Sequence, residues 1–148
     1  MKRILAIVIS VLIPLAAQAA DPAQAPGDQI IRPASDTELD EFLWTHRPIV
    51  VFADSPADPR FAEQIERLNE DLSSLIDRDV VVLTDTDPAA KSPLRQKLRP
   101  RGFMLVLIDK DGGIKLRKPF PWSVREITRT IDKTASRQHE IEERRGQR

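Results

Sequence analysis

Four aspartates, Asp54, Asp58, Asp85 and Asp87, lie just after two short apolar runs at residues 49–53 and 80–83. If both runs are strands, the carboxylates gather past their ends, and such a cluster suits a hard cation such as Mg²⁺ or Ca²⁺. A cation-dependent hydrolase would use Asp54, Asp85 and Asp87 in this way, although Asp85-Thr86-Asp87 lacks the Ser/Thr and Lys motifs of phosphatase-type sites. Arg60, Arg101 and Arg117 supply the opposite charge, and a guanidinium matches carboxylate or phosphate with two parallel hydrogen bonds. The 148 residues include no cysteine, so chemistry that needs a thiolate is closed to the chain acting alone. His46 and His139 stand alone, with no partner at motif spacing, and no catalytic residue is assigned. Glycine-rich phosphate loops, zinc spacings and nucleophile elbows are absent from the sequence.

Each of these side chains also has a local reading. Asp58-Pro59 is a helix start, because Asp accepts from free first-turn amides and Pro at the first helical position wastes no donor. Asp85 and Asp87 shape a loop that ends at Pro88. These readings account for the aspartates one by one and are preferred to a metal site; no cofactor is expected. Asp109-Lys110-Asp111-Gly112 resembles part of a calcium loop but lacks the downstream Glu, and a hairpin turn explains it.

The elements that must position these groups follow a long N-terminal preamble. Lys2 and Arg3, an apolar run over residues 4–15 and Ala17-Gln18-Ala19 form an export-signal pattern, with cleavage expected after Ala19. The apolar run is shorter than the roughly 20 residues a membrane-spanning helix needs, so no stable membrane span is expected after cleavage. The expected location is periplasmic or secreted. Acidic and basic residues balance at 23 each, which argues against a nucleic-acid partner.

Residues 20–34 read as a flexible leader, residues 35–136 as one domain and residues 137–148 as a charged tail. Within the domain, Ser35 and Glu38 form a capping-box pattern before a short helix over 36–45. Phe61, Ile65, Leu68, Leu72 and Leu75 make the apolar stripe of one amphipathic helix of four to five turns. Ser92-Pro93 opens a short helix. Residues 103–108 are a central strand, joined by Asp109-Lys110-Asp111-Gly112-Gly113 to an alternating edge strand. Ser123 and Glu126 cap a last packed helix carrying Val124, Ile127 and Ile131. Phe120-Pro121-Trp122 is a candidate exposed aromatic surface.

Helix, strand, helix, strand, helix, strand, strand, helix is a thioredoxin-like order. The expected fold is α/β, a three-layer sandwich with a four-stranded mixed sheet, a parallel pair plus an antiparallel hairpin. Arg47-Pro48-Ile49-Val50-Val51-Phe52-Ala53, Asp58-Pro59-Arg60, Gly102-Phe103, the hairpin from Leu107 to Arg117 and Arg137-Gln138-x-Glu140 together resemble the exported domain of unknown function 4174 family, over about residues 39–142. The resemblance implies a thioredoxin-like fold, found mostly in bacterial periplasmic proteins and inside some animal extracellular-matrix proteins, with no established activity.

In such a fold the reactive pair would occupy residues 54–58, where this chain has Asp54-Ser55-Pro56-Ala57-Asp58, and the usual proline before the third strand would fall near Met104. Disulfide exchange and thiol peroxidase chemistry are therefore excluded. The expected role is non-enzymatic binding of a protein partner or a small anionic ligand at that edge through Asp58, Arg60, Arg101 and Arg117. The alternatives are the cation-dependent hydrolase and a structural or assembly module acting through its tail.

Overall fold

The computed structural model describes residues 30–148. The expected export signal and residues 20–29 of the expected leader lie outside the described residues. Among the described residues no helix is long and apolar enough to cross a membrane.

Five strands form one mixed sheet: β1 (Ile31–Pro33), β2 (Arg47–Phe52), β3 (Val80–Asp85), β4 (Met104–Ile108) and β5 (Ile114–Lys118), in the order β1-β3-β2-β4-β5. β2 and β3 run parallel with Ile49 opposite Val82, and β2 and β4 run antiparallel with Ile49 opposite Leu107. The β-branched continuity of residues 49–51 and 80–82 reflects strands covered on both faces. Alternation then divides the core. Ile49, Val51, Val82, Leu105 and Leu107 face α1 (Pro59–Asn69), α2 (Leu72–Ile76) and α4 (Val124–Asp132), which contribute Leu68, Leu75, Ile127 and Ile131. Val50, Phe52, Leu83, Val106 and Ile108 face α3 (Pro93–Leu98) and a 3-10 turn at Leu39–Phe42. The result is the three-layer, thioredoxin-like sandwich that the element order implies.

The sheet has five strands rather than four. Residues expected in the leader add β1 in parallel to β3, with Ile31 opposite Val82, and the Ala34 amide continues the pairing by donating to the Thr84 carbonyl at 2.8 Å. Ile30 and Ile31 are the apolar pair that makes this worthwhile, since both pack on the α1 side of the core. The helix expected over 36–45 is reduced to the 3-10 turn, with Glu38 and Glu41 forming the capping box and Ser35 bent to φ 36°.

The single helix expected through residue 75 is two. Asp71 leaves helical geometry at φ −150° and caps α2 by accepting from the Ser74 amide at 3.1 Å. Beyond α4, the expected charged tail is α5 (Ala135–Gly146), with Arg137 buried rather than solvated. Its docking is ionic, which an apolar-periodicity reading does not register.

Candidate functional site

The edge past the carboxyl ends of β2 and β3 is where a thioredoxin-like sheet presents its chemistry. Asp58 caps α1, accepting from the Arg60 amide at 2.9 Å. The same carboxylate receives the Arg60 side chain, Nε at 3.2 Å and Nη2 at 2.9 Å. Those side-chain bonds from Arg60, with its backbone amide, hold the Asp58 carboxyl below its usual range. The Arg60 guanidinium also lies 5.6 Å from the Phe103 ring centroid, a cation–π arrangement. It is thus fixed on two sides while its side chain stays 51% exposed. Gly102 is glycine because the loop into β4 turns through φ 60° there, beside the guanidinium. Arg101 is exposed on that loop and makes no side-chain hydrogen bond or ion pair among the described residues. A shallow hollow of about 490 Å³ is lined by Asp54, Ser55, Ala57, Asp58, Pro59 and Arg60.

Arg117 does not join them. It lies opposite Val106, whose side chain faces α3, so alternation sends the guanidinium to the other face of the sheet. There its Nη1 donates to the Leu98 carbonyl at 2.8 Å.

The four aspartates likewise do not form one cluster: Asp54 and Asp58 line the hollow, and Asp85 and Asp87 lie together elsewhere. Asp85 is buried, and its carboxylate accepts from Ser92 Oγ at 2.5 Å, Arg95 Nε at 2.9 Å and the Asp87 amide at 3.1 Å. Asp87 caps a 3-10 turn by accepting from the Ala89 amide at 3.1 Å, while Asp54 is exposed. Among the described residues no group of three or more His, Cys, Asp or Glu comes together as a metal-holding cluster. Arg95 was not singled out in the sequence, yet it closes this edge. Its Nη2 donates to the carbonyls of Ala53 at 2.6 Å and Asp85 at 3.1 Å, and its guanidinium covers the Phe52 ring at 5.3 Å. The available signal was its position: a helix opened by Ser92-Pro93 turns its third helical residue back toward the strand ends.

A second constellation lies at the opposite end of the sheet. Arg47 is 1% exposed, and all five of its N–H donors find acceptors. Nε donates to Asp109 Oδ1 at 3.0 Å, Nη1 to the Arg78 carbonyl at 2.9 Å and Glu140 Oε2 at 3.4 Å, and Nη2 to Ser136 Oγ and Glu140 Oε1, both at 2.9 Å. Lys110 Nζ reaches Glu140 Oε1 and Asp79 Oδ2, each at 2.8 Å. Burial opposes the Glu140 charge, but bonds from Lys110, Arg47 and Arg137 outweigh it and hold the carboxyl down at about 2. Arg47, Asp109, Lys110, Arg137 and Glu140 come from the segments that carry the sequence resemblance, and the fold gathers them into one network.

The sheet, its helices on both faces and this cysteine-free edge define a thioredoxin-like protein without thiol chemistry. The chain belongs to the family described as Domain of unknown function (DUF4174), whose model matches residues 38–140. No curated protein matches it. Among solved structures it is similar to the reduced 2-Cys peroxiredoxin of Plasmodium vivax, at 19% identity and TM-score 0.52, covering 70% of this chain and 84% of that one. It is also similar to Prx1a of Plasmodium yoelii modified at its N-terminus, at 20% identity and TM-score 0.50, covering 68% and 79%. At this identity the likenesses concern the fold alone.

Proposed function

We propose that this protein is an exported, non-enzymatic binding module that recognises a carboxylate- or phosphate-bearing partner at the sheet edge through Arg60 and Arg101. The observation that carries the reading is the Arg60 guanidinium, pinned by Asp58, lying against Phe103 and still half exposed. A cation ordered before binding loses little side-chain entropy when an anion arrives. Asp58 acts as the positioning group, and Arg101 adds a second cation on the adjoining loop. Arg117, on the other face, would contribute long-range attraction rather than contact. Export rests on the pattern of residues 1–19.

Titration of isotope-labelled protein with inorganic phosphate, and separately with citrate, followed by NMR tests the site. Saturable shifts at the Arg60 Nε–H and the Gly102 amide are the expected outcome, with the Gly102 shift lost in the Arg60→Ala, Arg101→Ala double variant. Shifts that survive the double substitution, or none at this edge, would remove the assignment. Mass spectrometry of the protein recovered from an expressing cell tests export, which requires a chain beginning at Ala20.

A further inference from the structure

The helix α5 is attached in an unusual way. It contributes no residue to either apolar cluster, and neither cluster has a partly buried hydrophobic of α5 packed against it. Charge-assisted bonds attach it instead. Glu140 sits between Arg47 and Lys110, Arg137 Nη2 donates to Asp77 Oδ2 at 2.8 Å, Arg144 Nη1 to Asp77 Oδ1 at 3.3 Å, and Ser136 Oγ to Asp109. Arg137 Nε is buried without a hydrogen-bond partner, so even this polar fit is incomplete.

The body beneath α5 is paired within itself. Arg47 has Asp109 at 3.0 Å, Lys110 has Asp79 at 2.8 Å, and Arg78 grips both oxygens of Asp132 at 2.8 and 2.9 Å. Each cation that meets α5 therefore retains an acid when the helix departs. Arg47 keeps Asp109 as its counter-ion, while both acceptors of its Nη2, Ser136 Oγ and Glu140 Oε1, leave with the helix and must be supplied again by a second copy.

The connection to α4 is built to allow that departure. Lys133 is already helical at φ −87°, ψ −8°, and Thr134 alone interrupts the helices at φ −73°, ψ 145°. Its φ is helical as it stands. Turning its ψ by roughly half a revolution toward the helical value would join α4 and α5 into one continuous helix. That helix carries Glu140 away from its own Arg47.

From these observations we infer that α5 exchanges between two copies of this chain: Arg47 and Lys110 form a carboxylate receptor that Glu140 fills within the monomer and that a second copy's Glu140 fills in a swapped dimer, with Thr134 as the hinge. Every contact of the docked helix is available in the exchanged arrangement, so the balance is set at the hinge and by concentration. The receptor stands at the opposite end of the sheet from the Arg60 edge, and the inference is independent of that site.

Two hinge variants and a crosslink test the exchange. Thr134→Ala removes the cap and favours continuous helix, and should tighten dimerisation on the order of tenfold by light scattering after size exclusion. Lys133→Gly disfavours a helix through the junction and should weaken it. Carbodiimide joins Lys110 to Glu140 without a spacer. In dimers assembled from mixed ¹⁴N- and ¹⁵N-labelled chains, crosslinked peptides that join one partner of each label should appear beside the singly labelled ones. A Thr134→Ala protein that remains monomeric at millimolar concentration, or a dimer whose Lys110–Glu140 links are all within one chain, would overturn the inference.

Discussion

Arg47 Nε donates to Asp109 Oδ1 at 3.0 Å across 62 residues of sequence, and neither side chain is more than 3% exposed. The pair ties the start of β2 to the end of β4, where the hairpin turn begins. An ion pair this deep brings little net stability over an apolar replacement of the same shape, but breaking it from one side strands a charge.

Replacing Arg47 with Met should therefore destabilise the fold by about 3–5 kcal/mol. The buried Asp109 carboxylate would keep Ser136 and the Lys110 amide but lose its closest counter-charge. Urea unfolding followed by circular dichroism measures this, and a loss under about 1 kcal/mol would show that Asp109 is neutralised another way.

Arg95→Leu should be comparably damaging, by about 2–4 kcal/mol, because it leaves Asp85 charged and buried and frees the carbonyls of Ala53 and Asp85. Adding Asp85→Leu should recover part of the loss. Thermal melts of the single and double variants report the coupling.

Glu140 makes stability pH-dependent in a defined window. Its carboxyl is held at about 2 in the fold against about 4.3 in an unfolded chain, so the folded state favours the deprotonated form. Its contribution is complete above pH ~4.3 and is lost as pH falls toward 2. Glu140→Gln should lower stability at pH 7 by about 1–3 kcal/mol and flatten the profile between pH 5 and 2. Unfolding free energies across that range check it, and equal slopes for both proteins would contradict it.

Trp44 adopts φ 64° while 72% exposed, and its amide donates to the Lys110 carbonyl at 2.8 Å. A bulky residue in the left-handed region is strained, whereas Asn tolerates it. Trp44→Asn should raise stability by up to about 1 kcal/mol; a fall in melting temperature would mean that the indole packs more productively than its exposure indicates.

How much was legible differs between the apolar and the polar parts of the chain. Unbroken β-branched runs announced β2 and β3, the Asp-Gly-Gly turn announced the β4–β5 hairpin, and Ser123 with Glu126 marked the start of α4. These signals are local, because strand burial, turn geometry and helix caps are settled by neighbours a few residues apart. β1 was missed because three residues carry no periodicity, and its pairing is provided by β3, some fifty residues away. The break at Asp71 was missed because Leu72 and Leu75 continue the apolar stripe past a residue that caps rather than continues the helix.

The sequence by itself determined the classes of element, their order and the absence of thiol chemistry, since a missing cysteine needs no geometry to be read. Only the tertiary structure decided which charges meet. Arg60 and Arg117 looked equivalent in the chain, yet the pleat of the sheet puts Arg117 on the opposite face. Arg47, Asp109 and Glu140 stand in the chain at the head of an apolar run, in a turn and in a tail, yet strand register and the docking of α5 bring them within hydrogen-bond distance. Charge pairing depends on distances of a few ångströms between segments remote in sequence, and only the folded backbone specifies those.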